Sequence, residues 1–331
     1  MARERSDALL HPAVRGEPEP VATHHAVVGA RGGGVGCVGL SCRDHVWQVD
    51  RFPPTSSRTN ADAYRAHGGG PAATAAVAAA RLGGAVYLWA VHGSDDDSEA
   101  CRAELAAEGV DIGGIRTTLG SRSFVSAVLV APDGERFIFP FRGDALLDDP
   151  SGLDWSALPG LGALLTDGRH PAMASFALDA ARRSGVPTIG DWSDGRHWHL
   201  VDLVDHLIVS EECAAAVLGR DDPVAALARL RAFPSQLVAI TLGARGVVWD
   251  AGDGPWRLRA PPIDAVDTTG AGDAFHGAYA WAIADGREPA AAMRLATAAA
   301  ALMCRGHGRA TLPDVHAAEE FAAHLPSEER A

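Results

Sequence analysis

The chain has 331 residues and a formal net charge of −13, which fits one sizeable α/β core with an excursion and argues against a nucleic-acid surface. All 29 basic side chains are arginine, so Schiff-base chemistry and the phosphate-gripping lysine of a Walker A loop are both excluded. The five cysteines (Cys37, Cys42, Cys101, Cys213, Cys304) are scattered without a Cys-x-x-Cys pair, suggest neither a disulfide framework nor a zinc site, and fit a reducing cytoplasm.

Residues 1–33 are charged and proline-containing and run into Gly32-Gly33-Gly34; a disordered arm is expected there, not a signal peptide. Val35-Gly-Cys-Val-Gly-Leu40 reads as the first buried strand. Asp44, just beyond it, is a ligand candidate or a turn-stabilising acid. Residues 45–67, with Trp47, Arg51, Pro53, Pro54 and Arg58, read as exposed strand segments of a lid. Gly68-Gly-Gly-Pro71 opens an alanine helix ending at Gly83-Gly84, and only such small residues let a ligand or second backbone come close; Thr74 faces the same way as the glycines. The run Pro71 to Val91 has membrane length, but Arg81 and the glycine break mark it as soluble.

A strand through Ala85 to Val91 follows, then the acidic loop His92-Gly-Ser-Asp-Asp-Asp97, read as a solvated helix start rather than a metal site. After a helix near Ala100 to Glu108, a second exposed β region is expected. There Phe124 to Val130 and Arg136 to Phe141 read as a hairpin around Pro132-Asp-Gly134. Joined to 45–67, it makes one β lid that places Arg58 and Arg136 to Arg142 over Asp44 and Gly69. Strand and helix patterns then alternate through Leu161 to Leu165, Pro171 to Ser184, Thr188 to Gly190, His206 to Val209, Pro223 to Ala232 and Leu237 to Thr241, predicting a parallel sheet with helices on both faces.

Polar groups sit at three of these strand ends: Asp167-Gly-Arg169-His170, Ser210-Glu-Glu212 and Thr241-Leu-Gly-Ala-Arg-Gly246. Arg169 suits an anionic substrate group or a surface ion pair. Val266-Asp-Thr-Thr-Gly-Ala-Gly-Asp-Ala-Phe-His-Gly277 reads as a glycine turn feeding a buried helix, whose free N–H groups suit a phosphate. Asp273, in its first turn, is either a proton acceptor in phosphoryl transfer, ionised at neutral pH by the helix N-terminus, or a cap. Beyond the helix Met293 to Met303, the loop Cys304 to Pro313 is placed to close over a base.

Two of these stretches resemble the signatures of the ribokinase, or PfkB-type, carbohydrate kinases. Asp267-Thr-Thr-Gly-Ala-Gly-Asp273-Ala-Phe matches the ATP-side motif without departure, and Gly69-Gly70 through Ala80-Arg-Leu-Gly83 matches the sugar-side motif with changes. The resemblance spans Val35 to Pro313. It implies a three-layer α/β/α core with a mostly parallel central sheet and a small β-sheet lid. Residues 34–315 would form the kinase domain, with the lid at about 45–67 and 122–143, and 316–331 a C-terminal helix and tail. By the same analogy Asp273 is the base; Gly270, Ala271 and Gly272 form the anion hole; Thr241, Gly243, Gly246, Ser210, Glu211 and Thr268 border MgATP; and Asp44, Gly69, Gly70 and Thr74 hold the sugar. Asp267 and Thr269 are placed at a monovalent-cation (K⁺) site.

Thr74 stands where many members have Asn, Pro71 where Lys or Asn is common, and Ser210-Glu-Glu-Cys213 where Asn-x-x-Glu is usual. The glycine stretch with Ser210-Glu211 is most similar to the branch phosphorylating 6-deoxy-6-sulfofructose, in which Arg58 and Arg169 would grip the sulfonate; Pro140 replaces that branch's lid Asn. Another sugar (ribose, fructose, 2-keto-3-deoxygluconate), a nucleoside acceptor, or a non-catalytic sugar or nucleotide sensor are the alternatives. Apolar Phe137 and Phe139 on the lid suggest a homodimer paired through it.

Overall fold

The computed structural model describes residues 33–52, 58–131, 136–219 and 222–331. Residues 1–32 of the expected arm, Pro53 and Pro54 of the expected lid segment, and the hairpin turn Pro132-Asp-Gly134 lie outside the described residues. In chain order the elements are β1 (Gly34–Val38), β2 (Cys42–Gln48), β3 (Ala63–Gly69), α1 (Pro71–Arg81), β4 (Val86–His92), α2 (Asp96–Ala107), β5 (Val110–Asp111), β6 (Ile115–Thr117), β7 (Val125–Val130) and β8 (Arg136–Phe141). They continue with β9 (Leu161–Thr166), α3 (Pro171–Ser184), β10 (Thr188–Trp192), β11 (His206–Ser210), α4 (Glu211–Leu218), α5 (Pro223–Leu230), β12 (Leu237–Thr241) and β13 (Val247–Asp250). The chain finishes with β14 (Trp256–Leu258), α6 (Ala271–Ala284), α7 (Pro289–Met303), α8 (Val315–Ala323) and β15 (Glu329–Arg330).

The large sheet runs β15-β14-β13-β12-β11-β10-β9-β1-β4-β5, with β6 also on β4. It is parallel from β12 to β5 and antiparallel from β13 outward. Because these strands are covered on both sides, they read as continuous apolar runs such as Leu207-Ile-Val209. One face packs α1, α6, α7 and α8; the other packs α3, α4 and α5. β1 has β4 on one side and β9 on the other, a topological switch point at which a crevice opens above the strand ends.

Small residues bring α1 and α6 together. Ala72 to Ala79 are all buried, and a Cβ on Gly277 would run into the Ala75 backbone. This close approach holds the two motif helices side by side.

The second sheet, β3-β2-β7-β8, is the expected lid. β7 and β8 form the expected hairpin, and β2 joins it in parallel to β7. Asp44 is a residue of strand β2 rather than of a turn, and the glycine run forms the end of β3 and the N-cap of α1. Between α2 and the hairpin, β5 and β6 extend the large sheet through β4. The tail also does more than follow a helix, since β15 pairs with β14.

Candidate active site

The turn ahead of α6 is braced by the Asp267 carboxylate and by the loop after α7. Asp267 accepts the N–H of Thr269 at 2.8 Å and that of Gly308 at 3.1 Å, and Cys304 O accepts the N–H of Val266 at 2.8 Å. Burial tends to raise the Asp267 carboxyl, but the hydrogen bonds from Thr269 and Gly308 and the charge of Arg136 hold it below the usual carboxylate range. Gly270 then adopts φ 78°, a left-handed conformation suited to glycine, and α6 begins. Ala271 N–H is used within the turn, on Thr268 O at 3.3 Å. A Cβ on Gly272 would meet nothing within 4 Å, so the helix start opens into free space. That is the geometry of an anion site at a helix N-terminus.

Asp273 lies beside this opening with part of its surface accessible. Burial, then the carboxylates of Asp191 and Asp167, push its carboxyl up to about 8, against the lowering effect of Arg309 and Arg169. The sequence-based expectation of an ionised acid at neutral pH is therefore corrected: burial and two like charges outweigh the helix N-terminus.

The sugar-side cluster meets Asp273 across Gly270. A Cβ on Gly270 would lie 3.4 Å from Thr74 Cγ2 and 3.6 Å from Asp273 Oδ2. The Asp44 carboxylate sits against Gly69, leaving no room for a side chain there, and Gly70 takes φ 92° against Leu40 O. Asp167 fixes the floor, with its carboxylate accepting Leu40 N–H at 2.8 Å, Ala72 N–H at 3.2 Å and Arg169 N–H at 2.9 Å.

Arg309 is a residue that sequence reading missed. Its Nε and Nη2 donate to Thr74 Oγ1 at 3.2 and 3.0 Å, and Nη2 also donates to Gly69 O at 3.1 Å. One residue earlier, Gly308 holds Asp267, so adjacent residues of one loop brace both motifs. The signal for this loop was its Gly306 and Gly308; nothing local marked the arginine. Asp191 and His276 were also missed, although Asp191 obeys the rule of acids at strand ends.

The predicted arginines fare differently. Arg169 Nη2 donates to Ser193 Oγ at 3.0 Å and lies 3.7 Å from Asp194 Oδ2, so the ion-pair alternative is realised. Arg58 is exposed ahead of β3, and no described contact joins it to Asp44, Gly69 or Thr74, contrary to its expected place over them. The lid does reach the site through Arg136, whose Nη1 donates to Thr269 Oγ1 at 2.5 Å.

Of the residues expected to border the nucleotide, Thr241 ends β12, and Gly243 (φ 57°) and Gly246 (φ 95°) turn the chain into β13. Ser210 caps α4 by accepting Cys213 N–H at 3.1 Å, and Glu211 pairs with Arg245, tying α4 to that turn. Glu211 is therefore already engaged by a cation rather than free toward a phosphate-bound metal. Among the described residues no group of three or more His, Cys, Asp or Glu could hold a metal ion by itself.

The profile of the pfkB family of carbohydrate kinases matches residues 34–315. The chain belongs to that family. This pfkB-family kinase is 28% identical over 312 residues to the ribokinase of Bacillus subtilis, covering 86% of this chain and 98% of that one. It is also 28% identical over 254 residues to the bifunctional ribokinase/ribose-5-phosphate isomerase A of Fructilactobacillus sanfranciscensis, covering 73% of this chain but only 47% of that longer protein. Among solved structures, a putative ribokinase from Agrobacterium tumefaciens superposes with a TM-score of 0.83 at 31% identity, covering 88% of this kinase and 98% of that chain. The Arabidopsis thaliana ribokinase complexed with ribose and ATP superposes with a TM-score of 0.79 at 24% identity, covering 88% and 99%. The fold is ribokinase-like, as the two motifs implied.

Proposed function

We propose that this kinase transfers the γ-phosphoryl group of MgATP to a primary hydroxyl of a ketose-like sugar. The observation that carries it is the meeting at Gly270 of an open helix N-terminus, the carboxyl of Asp273 and the sugar-side residue Thr74. MgATP supplies the phosphoryl group and the divalent charge. Gly272 and Asp273 N–H groups face the anion, Asp44 holds sugar hydroxyls, and Asp273, in its carboxylate form, accepts the hydroxyl proton at Oδ, a contribution of roughly 10²- to 10⁴-fold. Thr241, Gly243, Gly246, Ser210, Glu211 and Thr268 border the nucleotide. Asp267, kept ionised, suits a K⁺ ion together with the backbone at Thr269.

An anionic sugar such as 6-deoxy-6-sulfofructose is the finer reading, supported by Arg169 at a neighbouring strand end. A neutral sugar is the second reading, favoured because Asp194 already faces that guanidinium. ATP consumption on a panel of sulfofructose, fructose 6-phosphate, fructose, ribose and 2-keto-3-deoxygluconate tests both. A rise in KM on Arg169→Ala confined to charged sugars supports the first reading, an equal rise for both supports the second, and no consumption on any sugar sinks the kinase assignment. The exposed lid side chains Tyr64, Phe137, Ile138 and Phe139 support a homodimer through the lid, for which sedimentation gives the mass. Five buried free thiols fit a reducing, cytoplasmic setting.

A further inference from the structure

Behind Asp273 lies a second titratable group of residues that the proposed reaction does not use. Asp191, in β10, is 7% exposed, and His276, in α6 three residues after Asp273, is 2% exposed. His276 Nδ1 lies 2.7 Å from Gly272 O and 3.5 Å from Asp191 Oδ2, while Nε2 lies 3.3 Å from Ile208 O. Both backbone partners are carbonyl oxygens, so each ring nitrogen can meet its partner only by donating, which a neutral imidazole does from one nitrogen and an imidazolium from both. The Gly272 carbonyl belongs to the peptide whose N–H is that of Asp273. The ring thus ties that peptide to β11 through Ile208 and to β10 through Asp191.

We propose that Asp191 and His276 form a buried carboxylate–imidazole pair that positions the Gly272–Asp273 peptide and sets the pH range over which Asp273 takes the substrate proton. They are positioning residues, acting through Asp273. The charged groups around Asp273 are Asp191 from β10, Asp167 and Arg169 from the connection after β9, and Arg309 from the loop after α7. Of the two like charges, Asp191 acts more strongly on it. Asp191 itself is raised by burial, with His276 and Arg169 opposing and Asp167 adding. Cys213 of α4, the remaining titratable neighbour, has its thiol pushed up to about 12 by burial and stays neutral.

The pair makes opposite predictions for its two members. Removing the Asp191 charge relieves Asp273, whereas removing the imidazole leaves Asp191 uncompensated beside it. In ATP-turnover pH profiles of the full chain, Asp191→Asn moves the acidic limb of kcat/KM down by about 1–2 pH units, and His276→Leu moves it up. The double variant returns toward wild type. Should His276→Leu fail to fold, His276→Asn, which keeps a donor near Gly272 O, carries the same upward shift. Single variants whose limbs coincide with wild type, or move in the same direction, overturn the inference.

The inference rests on Asp273 as the base, and the two failures are distinguishable. Near-normal turnover in Asp273→Asn overturns the base, whereas an inactive Asp273→Asn alongside unmoved limbs in the other variants overturns only the pair.

Discussion

Asp273→Asn separates activity from stability. The substitution keeps size and helix position but removes the proposed proton acceptor, so turnover is expected to fall by about 10²- to 10⁴-fold. Stability should change in the other direction. Asp273 holds its proton more tightly in the folded chain, with the carboxyl raised from 3.8 to about 8. Its favourable contribution is therefore complete below the unfolded value and is lost as pH rises through about 8. At pH 7 the shift corresponds to an upper bound of about 4 kcal/mol, the cost of keeping the acid protonated where the unfolded chain ionises it, and solvent reaching the partly open carboxyl reduces this to roughly 1–2 kcal/mol. Asparagine carries no such load. Melting of both proteins at pH 5 and pH 8, beside ATP turnover on an accepted sugar, should show the variant gaining on wild type at the higher pH. Retained turnover, or a melting difference independent of pH, would refute the reasoning.

Three further substitutions probe the scaffold of the site. Gly272→Val starts from a Cβ that meets nothing within 4 Å, so melting should change little while the KM for ATP rises about tenfold or more, because the new side chain fills the opening at the helix start. Gly277→Ala gains about 1 kcal/mol of helix propensity but drives a methyl into the Ala75 backbone, so chemical denaturation should show a net loss of about 1–3 kcal/mol. Arg309→Met removes the donors to Thr74 and Gly69; a loss of about 1–3 kcal/mol and a raised sugar KM are expected, and an unchanged sugar KM in a folded variant would detach that loop from the sugar side.

What local pattern determines was legible in this chain. Period-2 and 3.6-residue apolar runs, interrupted by glycine and proline, located β1, β4, α1, α3 and the β7–β8 hairpin because backbone geometry and burial act within a few residues. Gly270 was recognisable for a similar reason: the turn into α6 needs a residue that accepts a left-handed conformation. Partnership across the chain was not legible. The short segments β5, β6 and β15 follow no pattern that separates lid from core, and only the free edges of the large sheet decide where they pair.

The same division runs through the site. The sequence by itself determined the composition without lysine, the glycine turn and the carboxylate placed after it. Tertiary structure alone decided that Arg169 faces Asp194, that Arg309 reaches back 235 residues to Thr74, and that Asp191 and His276 stand behind the helix start that carries Asp273. It also reversed the expected ionisation of Asp273. A helix N-terminus is a local field that can be read from sequence, whereas burial and two carboxylates on separate strand ends arise only when the sheet assembles around it.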